Sequence, residues 1–357
     1  MLISLLNLHN YLINRGLFSS ESIVSEHYVA SYFQYRSNIF IVKNQNDNGL
    51  VLKKPQYQDE PAYFLIQKEA TCLWKIFNEE ELKILRPIVP EYLGFDATSN
   101  VLATGLVTNT MNFQNSNGTA SELINDEVIA AIVNTLSIIH MSKDGILKNP
   151  SSFFLPKTKP WVFSIAHKEE DGEFYLQQYV PVIRLIIQDT FLLKIIDEAN
   201  EIWNIESLIH GDIKWSNLLI DKDKSVKLID WEMADFGDPL WDIAGLISGF
   251  ITDEILNSSN PYAHVLYLEN NLIFRKISFT IFKYMSLSQG KMATSEHIHK
   301  IVTFVTIRLL QSSCEHNDYQ QNLQPIAHSL IINASQMAKT KVDIVDHLLI
   351  LLNEQES

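Results

Sequence analysis

The spacing of hydrophobic residues changes along this chain, and the change divides it. From about Tyr28 to Leu106 the spacing is mostly that of strands, interrupted by one helix. YFQYRSNIFIVK alternates apolar and polar side chains, breaks at NDNG, which is turn chemistry, and is followed by LVLKKP. The two runs predict a hairpin. FLIQKEATCLWKIF carries Leu65, Glu69, Leu73 and Phe77 at helical spacing. VPEYLGFDATSNVLATGLV predicts two more strands around an Asp-Ala-Thr-Ser-Asn turn. Ahead of these, Leu2, Leu5, Leu6, Leu8, Tyr11 and Leu12 fall at helical spacing and Gly16 supplies a stop. That opening lacks a basic leader and a small-residue cleavage site, so a helix of the first domain is expected rather than a signal peptide.

After about Val107 the pattern becomes chiefly helical. INDEVIAAIVNTLSIIH predicts a helix with Asn125 or Asp126 near its start, and VPVIRLIIQDTFLLKIIDEANEIW predicts another. From Asp242 onward long helical segments are separated by Asn, Ser, Pro and Gly. Neither an internal repeat nor a low-complexity tract stands out. A strand-rich part followed by a helix-rich part indicates an α+β protein with a cleft between two lobes, 1–106 and 107–357.

Composition narrows the class. The 357 residues fit one two-lobed enzyme or two ordinary domains, and with 46% hydrophobic and 20% charged residues disorder is disfavoured. The net charge of −14 argues against a broad basic footprint, so no nucleic-acid partner is expected, while a local cationic pocket for phosphates stays open. Acidity is compatible with a cationic substrate, but a solubilising surface is the plainer reading. Cys72 and Cys314 make neither a disulfide framework nor a zinc site and point to a reducing, cytoplasmic setting. No apolar run approaches the roughly 18 residues of a membrane span.

The stretch LIHGDIKWSNLLIDKDKSVKLIDWEMADFGDPLWDIAGLI carries the chemistry. Asp212 sits in a short His-Gly-Asp turn and Asn217 follows five residues later. LLI, a charged DKDKS turn and VKLI then predict a hairpin that ends at Asp230. Phosphoryl transfer needs a group that orients the acceptor hydroxyl and oxygen ligands for magnesium. A hairpin here places Asp212, Asn217 and Asp230 around one site.

This stretch resembles the catalytic segment of the aminoglycoside phosphotransferase and choline kinase family, which is related to protein kinases. The resemblance rests on His210-Gly211-Asp212 through Asn217, on Ile229-Asp230-Trp231-Glu232, and on Gly237-Asp238-Pro239-Leu240-Trp241-Asp242-Ile243-Ala244. It implies a bilobal protein-kinase-like fold, with a small antiparallel-sheet lobe that binds nucleotide and a large helical lobe. It further implies ATP and Mg²⁺, with Asp212 as the catalytic base or hydroxyl-orienting group and Asn217 and Asp230 as metal ligands. Lys53, at the end of GLVLK, stands at the position of the family's strand lysine, and Glu69 would pair with it; Lys54 should face the other side of the strand. The nucleotide base should meet the segment 103–108.

Two departures qualify the resemblance. The loop before NIFIVK contains no glycine, so Arg36, Ser37 and Asn38 become the candidates for holding phosphate. Lys214 stands where the antibiotic-kinase branch often has His, and it would stabilise charge on the transferred phosphoryl group or be a solvated loop lysine. His140, His210, Asp238 and Asp242 are expected to brace the fold, and Trp231 and Trp241 to pack. His297 and His299 read as a solvated helix face, the sequons at Asn117 and Asn333 as chance, and LPKTKPWVF as a connection. Glu315 and Asp318 in EHNDYQ are candidates for favouring a cationic acceptor.

The leading expectation is therefore an ATP-dependent phosphotransferase acting on a small-molecule hydroxyl. The alternatives are a Ser/Thr kinase acting on the precursor peptide of a lanthipeptide-type tailoring pathway, and a pseudokinase scaffold.

Overall fold

Alternation in the first hundred residues builds a five-stranded antiparallel sheet. Its strands are β1 (Val29–Gln34), β2 (Ser37–Lys43), β3 (Gly49–Pro55), β4 (Tyr92–Asp96) and β5 (Val101–Gly105), in the spatial order β1-β2-β3-β5-β4. The structure is a computed structural model that describes residues 3–25, 28–34, 37–44, 48–57, 59–111, 124–142, 155–166, 179–258, 260, 265, 271–288, 290, 293–317 and 322–355. It divides into two units, Met1–Met111 with Asp144–Leu155 and Asn217–Ala234, and Asn112–Lys143 with Pro156–Ser216 and Asp235–Ser357.

In the first unit, α1 (Leu8–Asn14) packs Leu8, Tyr11 and Leu12 against Phe40, Val42, Leu50, Leu52, Val101 and Ala103 of the sheet. The helical opening is thus real but starts later than its apolar spacing suggests. YFQYRSNIFIVK, expected as a single strand, instead folds back on itself, with Gln34 of β1 opposite Asn38 of β2. Alternation runs on through both strands, so the period gives no sign that they pair with each other. α2 (Ser20–Ser25) precedes that sheet, and α3 (Glu60–Asn78) follows β3, capped by the Asp59 side chain accepting from the Ala62 amide. A second sheet joins β6 (Thr110–Met111), β8 (Leu218–Asp221) and β9 (Val226–Leu228), which is the hairpin expected before Asp230.

The second unit is helical apart from a two-stranded pair, β7 (Ser207–Ile209) with β10 (Asp235–Gly237). Its helices are α4 (Asp126–Met141), α5 (Val180–Gln188), α6 (Thr190–Ile202), α7 (Pro239–Asn257), α8 (Asn271–Ser288), α9 (Ser295–His316), α10 (Pro325–Lys339) and α11 (Lys341–Glu354). Asn125 caps α4 by accepting from the Val128 amide. The run 180–203, expected as one helix, is two. The Asp189 backbone is extended, and its carboxylate caps α6 by accepting from the Phe191 and Leu192 amides. α9 is the central helix, packed against α6, α7, α10 and α11. Beside it Phe163, Trp203, Trp241 and Phe304 form a buried aromatic cluster. Among the described residues, no helix is long and apolar enough to cross a membrane.

Candidate active site

Lys53 projects from β3, and its ammonium meets three carboxylates. Glu69 Oε2 on α3 and Glu232 Oε2 each lie 2.8 Å away, and Asp230 Oδ1 is in direct contact. All four residues belong to the first unit. Glu69 is buried and spends its other oxygen on the Trp231 amide, at 3.3 Å, so the helix that aims Lys53 also holds the segment carrying Asp230. Trp231 is fully buried, and its indole donates to the Leu228 carbonyl at 2.9 Å. This packing fixes the turn in which Asp230 adopts a left-handed backbone with φ 70°, a conformation Asp tolerates better than most residues.

Charge is unbalanced here. Burial would lower the Lys53 ammonium, but Asp230, Glu69 and Glu232 outweigh it and hold it well above the usual lysine range. Burial pushes the Glu69 carboxyl up to about 7; Lys53 opposes the rise, and Asp230 and Glu232 add to it. One ammonium does not neutralise three carboxylates. Oxygens of Glu69, Asp230 and Glu232 lie within 4.8 Å of one another, a donor set suited to a hard divalent cation. Asn217 ends a short helical turn, is buried, and its carbonyl accepts from the Ile229 amide at 3.1 Å, which ties it to the base of the same hairpin.

The phosphate-loop candidates fare differently. Asn38 uses its side chain within the sheet, accepting from Tyr32 Oη at 2.6 Å and donating to the Pro55 carbonyl at 3.2 Å. Ser37 is the first residue of β2. Arg36 lies outside the described residues, as does Asp318.

Asp212 belongs to the second unit, in a loop held by α7 and α9. Asp242 of α7 accepts from the His210 amide at 2.8 Å and the Gly211 amide at 2.9 Å, and contacts His140 Nε2 at 3.2 Å. Burial would raise its carboxyl, but the His140 hydrogen bond and the neighbouring imidazoles and loop amide outweigh it and hold it below the usual range. Tyr284 Oη lies 2.9 Å from His140 Nδ1. His140, His210 and Asp242 thus brace the loop. Gly211 has φ 80°, and its carbonyl accepts from Trp241 Nε1 at 3.0 Å. The loop sits directly on α7: a Cβ on Gly245 would stand 2.7 Å from the Ile213 carbonyl oxygen. Gly245→Ala is therefore expected to destabilise the protein by about 1–3 kcal/mol, the usual scale of overpacking, read as a lower urea midpoint.

Asp212 itself is buried. Its Oδ2 lies 2.7 Å from Lys214 Nζ, and its Oδ1 lies 3.5 Å from both Arg308 Nη2 and Gln311 Nε2 of α9. Burial would raise this carboxyl, but Lys214, Arg308 and His210 hold it down to about 2. Glu315, one turn further along α9, is 3.4 Å from Lys214 and accepts from Gln311 at 3.0 Å. Glu232, Arg308 and Gln311 were not singled out by sequence reasoning. Only Glu232 had a local signal, its place two residues after Asp230. Asp235-Phe236-Gly237 spells the metal motif of protein kinases but lies buried in β10, where Asp235 accepts from the Lys157 and Thr158 amides at 2.9 and 3.0 Å. Those bonds anchor LPKTKPWVF.

Residues 119–261 match the family described as Phosphotransferase enzyme family. A search of curated proteins finds no match. Among solved structures, choline kinase LicA from Streptococcus pneumoniae is 17% identical, with a TM-score of 0.55 over 93% of this chain and 99% of its own. Ethanolamine kinase from Plasmodium vivax is 13% identical, with a TM-score of 0.55 over 95% and 88%. Wild-type aminoglycoside 2'-phosphotransferase-IIIa, solved with GDP, is 16% identical, with a TM-score of 0.55 over 94% and 99%. The chain has the α+β, protein-kinase-like fold of these choline, ethanolamine and aminoglycoside kinases, and its segment 119–261 matches the phosphotransferase enzyme family.

Proposed function

We propose that the protein is an ATP- and magnesium-dependent phosphotransferase that moves the γ-phosphoryl group of ATP to a hydroxyl of a small molecule. The observation that carries the proposal is Lys53, held by Glu69 at 2.8 Å and in contact with Asp230. A strand lysine, a helix glutamate and a carboxylate after a hairpin are the parts that phosphoryl transfer uses to hold nucleotide phosphates and their metal. The phosphotransferase match over 119–261 supports the same reading.

Each residue then has a role. Lys53 binds phosphate oxygens, and Glu69 aims it. Asp230 and Asn217 hold magnesium, with Glu232 beside them. When bound, magnesium spreads and neutralises phosphate charge. Asp212 orients the acceptor hydroxyl. The acceptor oxygen forms a bond to the γ-phosphorus as the bond to the β–γ bridging oxygen breaks, its electron pair leaving with ADP. The hydroxyl proton passes to Asp212. Lys214, beside that carboxylate, would stabilise negative charge on the group in transfer. Ser37, Asn38 and Arg36 are the phosphate-loop candidates, Asn38 on condition that it releases its partners in the sheet.

The acceptor is proposed to be an amino alcohol, an aminocyclitol or a sugar. Choline, ethanolamine and aminoglycosides, in the names of the similar structures, each combine a hydroxyl with a nitrogen. Glu315, 3.4 Å from Lys214, adds negative charge near Asp212 and favours a cationic acceptor. With both cysteines free and buried, the cytoplasm is the compartment this reading assigns.

The test is calorimetry of ATP with the whole chain, with and without magnesium. Saturable binding that requires magnesium is expected. Absence of binding under both conditions would replace this reading with a scaffold lacking nucleotide.

A further inference from the structure

We infer that Arg308 and Gln311 of α9 are positioning residues that fix Oδ1 of Asp212 and the backbone on both sides of it. The inference rests on the phosphotransferase reading for its consequence, though not for its geometry.

The two oxygens of Asp212 have unlike surroundings. Oδ1 faces Arg308 Nη2 and Gln311 Nε2, each at 3.5 Å, and both side chains are buried. Oδ2 faces Lys214 at 2.7 Å. The Lys214 side chain is 34% exposed, whereas that of Arg308 is 4% exposed. Lys214 can therefore move into solvent or turn to Glu315, whereas Arg308 is held in place.

Arg308 does more than pair with a carboxylate. Its Nη2 donates to the Ile213 carbonyl at 2.8 Å, and its Nη1 approaches the Gly211 carbonyl at 3.4 Å and Gln311 Oε1 at 3.1 Å. Gly211 and Ile213 flank Asp212, so one guanidinium holds the backbone on both sides of the carboxylate. Its carbon lies 5.2 Å from the centre of the Trp241 ring, which limits its freedom further. A rigid planar fork performs this task better than a flexible ammonium. Removing a buried cation from three loop oxygens frees the loop and leaves those oxygens without their donor. Lys214 and His210 from its own loop and Arg308 from α9 are among the titratable groups that face Asp212, with Glu315 acting through Lys214 and Gln311.

The carboxyl carbon of Asp212 reports this directly. It is followed by NMR titration of the whole chain labelled at aspartate carboxyl carbons and assigned with Asp212→Asn. In the parent protein its midpoint should lie near 2. In Arg308→Met it should rise by about one pH unit or more, in Gln311→Leu by less, and in Arg308→Lys it should return most of the way. Turnover is read as hydrolysis of magnesium-ATP, with water as the acceptor. Arg308→Met should lower kcat by roughly 10- to 100-fold and leave KM for ATP unchanged, and Arg308→Lys should recover part of the loss. Should Arg308→Met fail to fold, Gln311→Leu and Arg308→Lys carry the same comparison. An Asp212 midpoint that stays put in the variants overturns the inference. A midpoint that moves in a protein that binds no ATP supports the positioning geometry and sinks the phosphotransferase reading instead.

Discussion

Asp212→Asn is expected to abolish phosphoryl transfer while leaving magnesium-ATP binding near that of the parent protein. The groups proposed to hold nucleotide, Lys53, Glu69 and Asp230, lie in the first unit, and Asp212 lies in the second. Asparagine keeps the shape of the side chain and removes its charge. An amide nitrogen facing Lys214 can neither accept the hydroxyl proton nor orient the hydroxyl through a charged oxygen. A positioned acid–base group contributes about 10²- to 10⁴-fold, so a loss of that order is expected in single-turnover transfer. The variant also removes the buried anion between Arg308 and Lys214, and a lower melting temperature should accompany the loss of rate. Because this carboxyl is held down to about 2, it remains charged throughout the working range. The sign follows from linkage: its stabilising contribution is complete above the unfolded value of 3.8 and disappears as pH falls through about 2. No acid limb in kcat between pH 4.5 and 7 should therefore trace to Asp212. Such a carboxylate is a weak base, which suits a loose transition state in which the nucleophile needs orientation more than early deprotonation. Full turnover by Asp212→Asn would remove it from the mechanism.

Local signals account for the parts of this structure that were legible in the sequence. The DKDKS turn between two short apolar runs marked the hairpin ending at Asp230, and Asn125 marked the start of α4. Lys53 and Glu69 were expected as a pair only through the family resemblance, which puts a strand lysine at the end of GLVLK; by periodicity alone they would read as a surface lysine and an exposed helix glutamate, and the structure brings them to 2.8 Å. Where alternation persisted through a reversal, as between β1 and β2, periodicity was blind. Where one Asp sat inside a continuous apolar pattern, as at Asp189, the pattern concealed a helix cap. Arg308 and Gln311 stand 96 and 99 residues from Asp212, and nothing in the run VTIRLLQSS distinguishes them from polar residues on a helix surface. Only tertiary packing turns that face of α9 towards the loop and makes a buried cation of Arg308. The literal Asp-Phe-Gly at 235–237 shows the converse, a motif by spelling whose carboxylate serves only to anchor a loop.

Asp230→Asn should separate stability from function in the opposite direction. The parent cluster sets three carboxylates against one ammonium, and Asp230 is among the charges that raise Glu69. Removing that charge leaves Lys53 paired with Glu69 and Glu232, each at 2.8 Å, and relieves repulsion among the carboxylates. Asparagine also accepts the left-handed backbone at φ 70° without added strain. Without ligand, the variant is expected to melt at or above the temperature of the parent. Magnesium-ATP binding should nevertheless weaken by about 100-fold or more, the scale on which loss of one buried charged partner reduces affinity. Lys53→Met supplies the contrast. It weakens nucleotide binding too, but it strands the buried Glu69 among like charges and should cost about 3–5 kcal/mol of stability. Calorimetry and thermal melts on the two variants read both quantities together. A stabilised Asp230→Asn that no longer binds magnesium-ATP, beside a destabilised Lys53→Met, would show that these carboxylates crowd together to hold a cation rather than to hold the fold. Equal magnesium-ATP binding by Asp230→Asn and the parent would place the metal elsewhere.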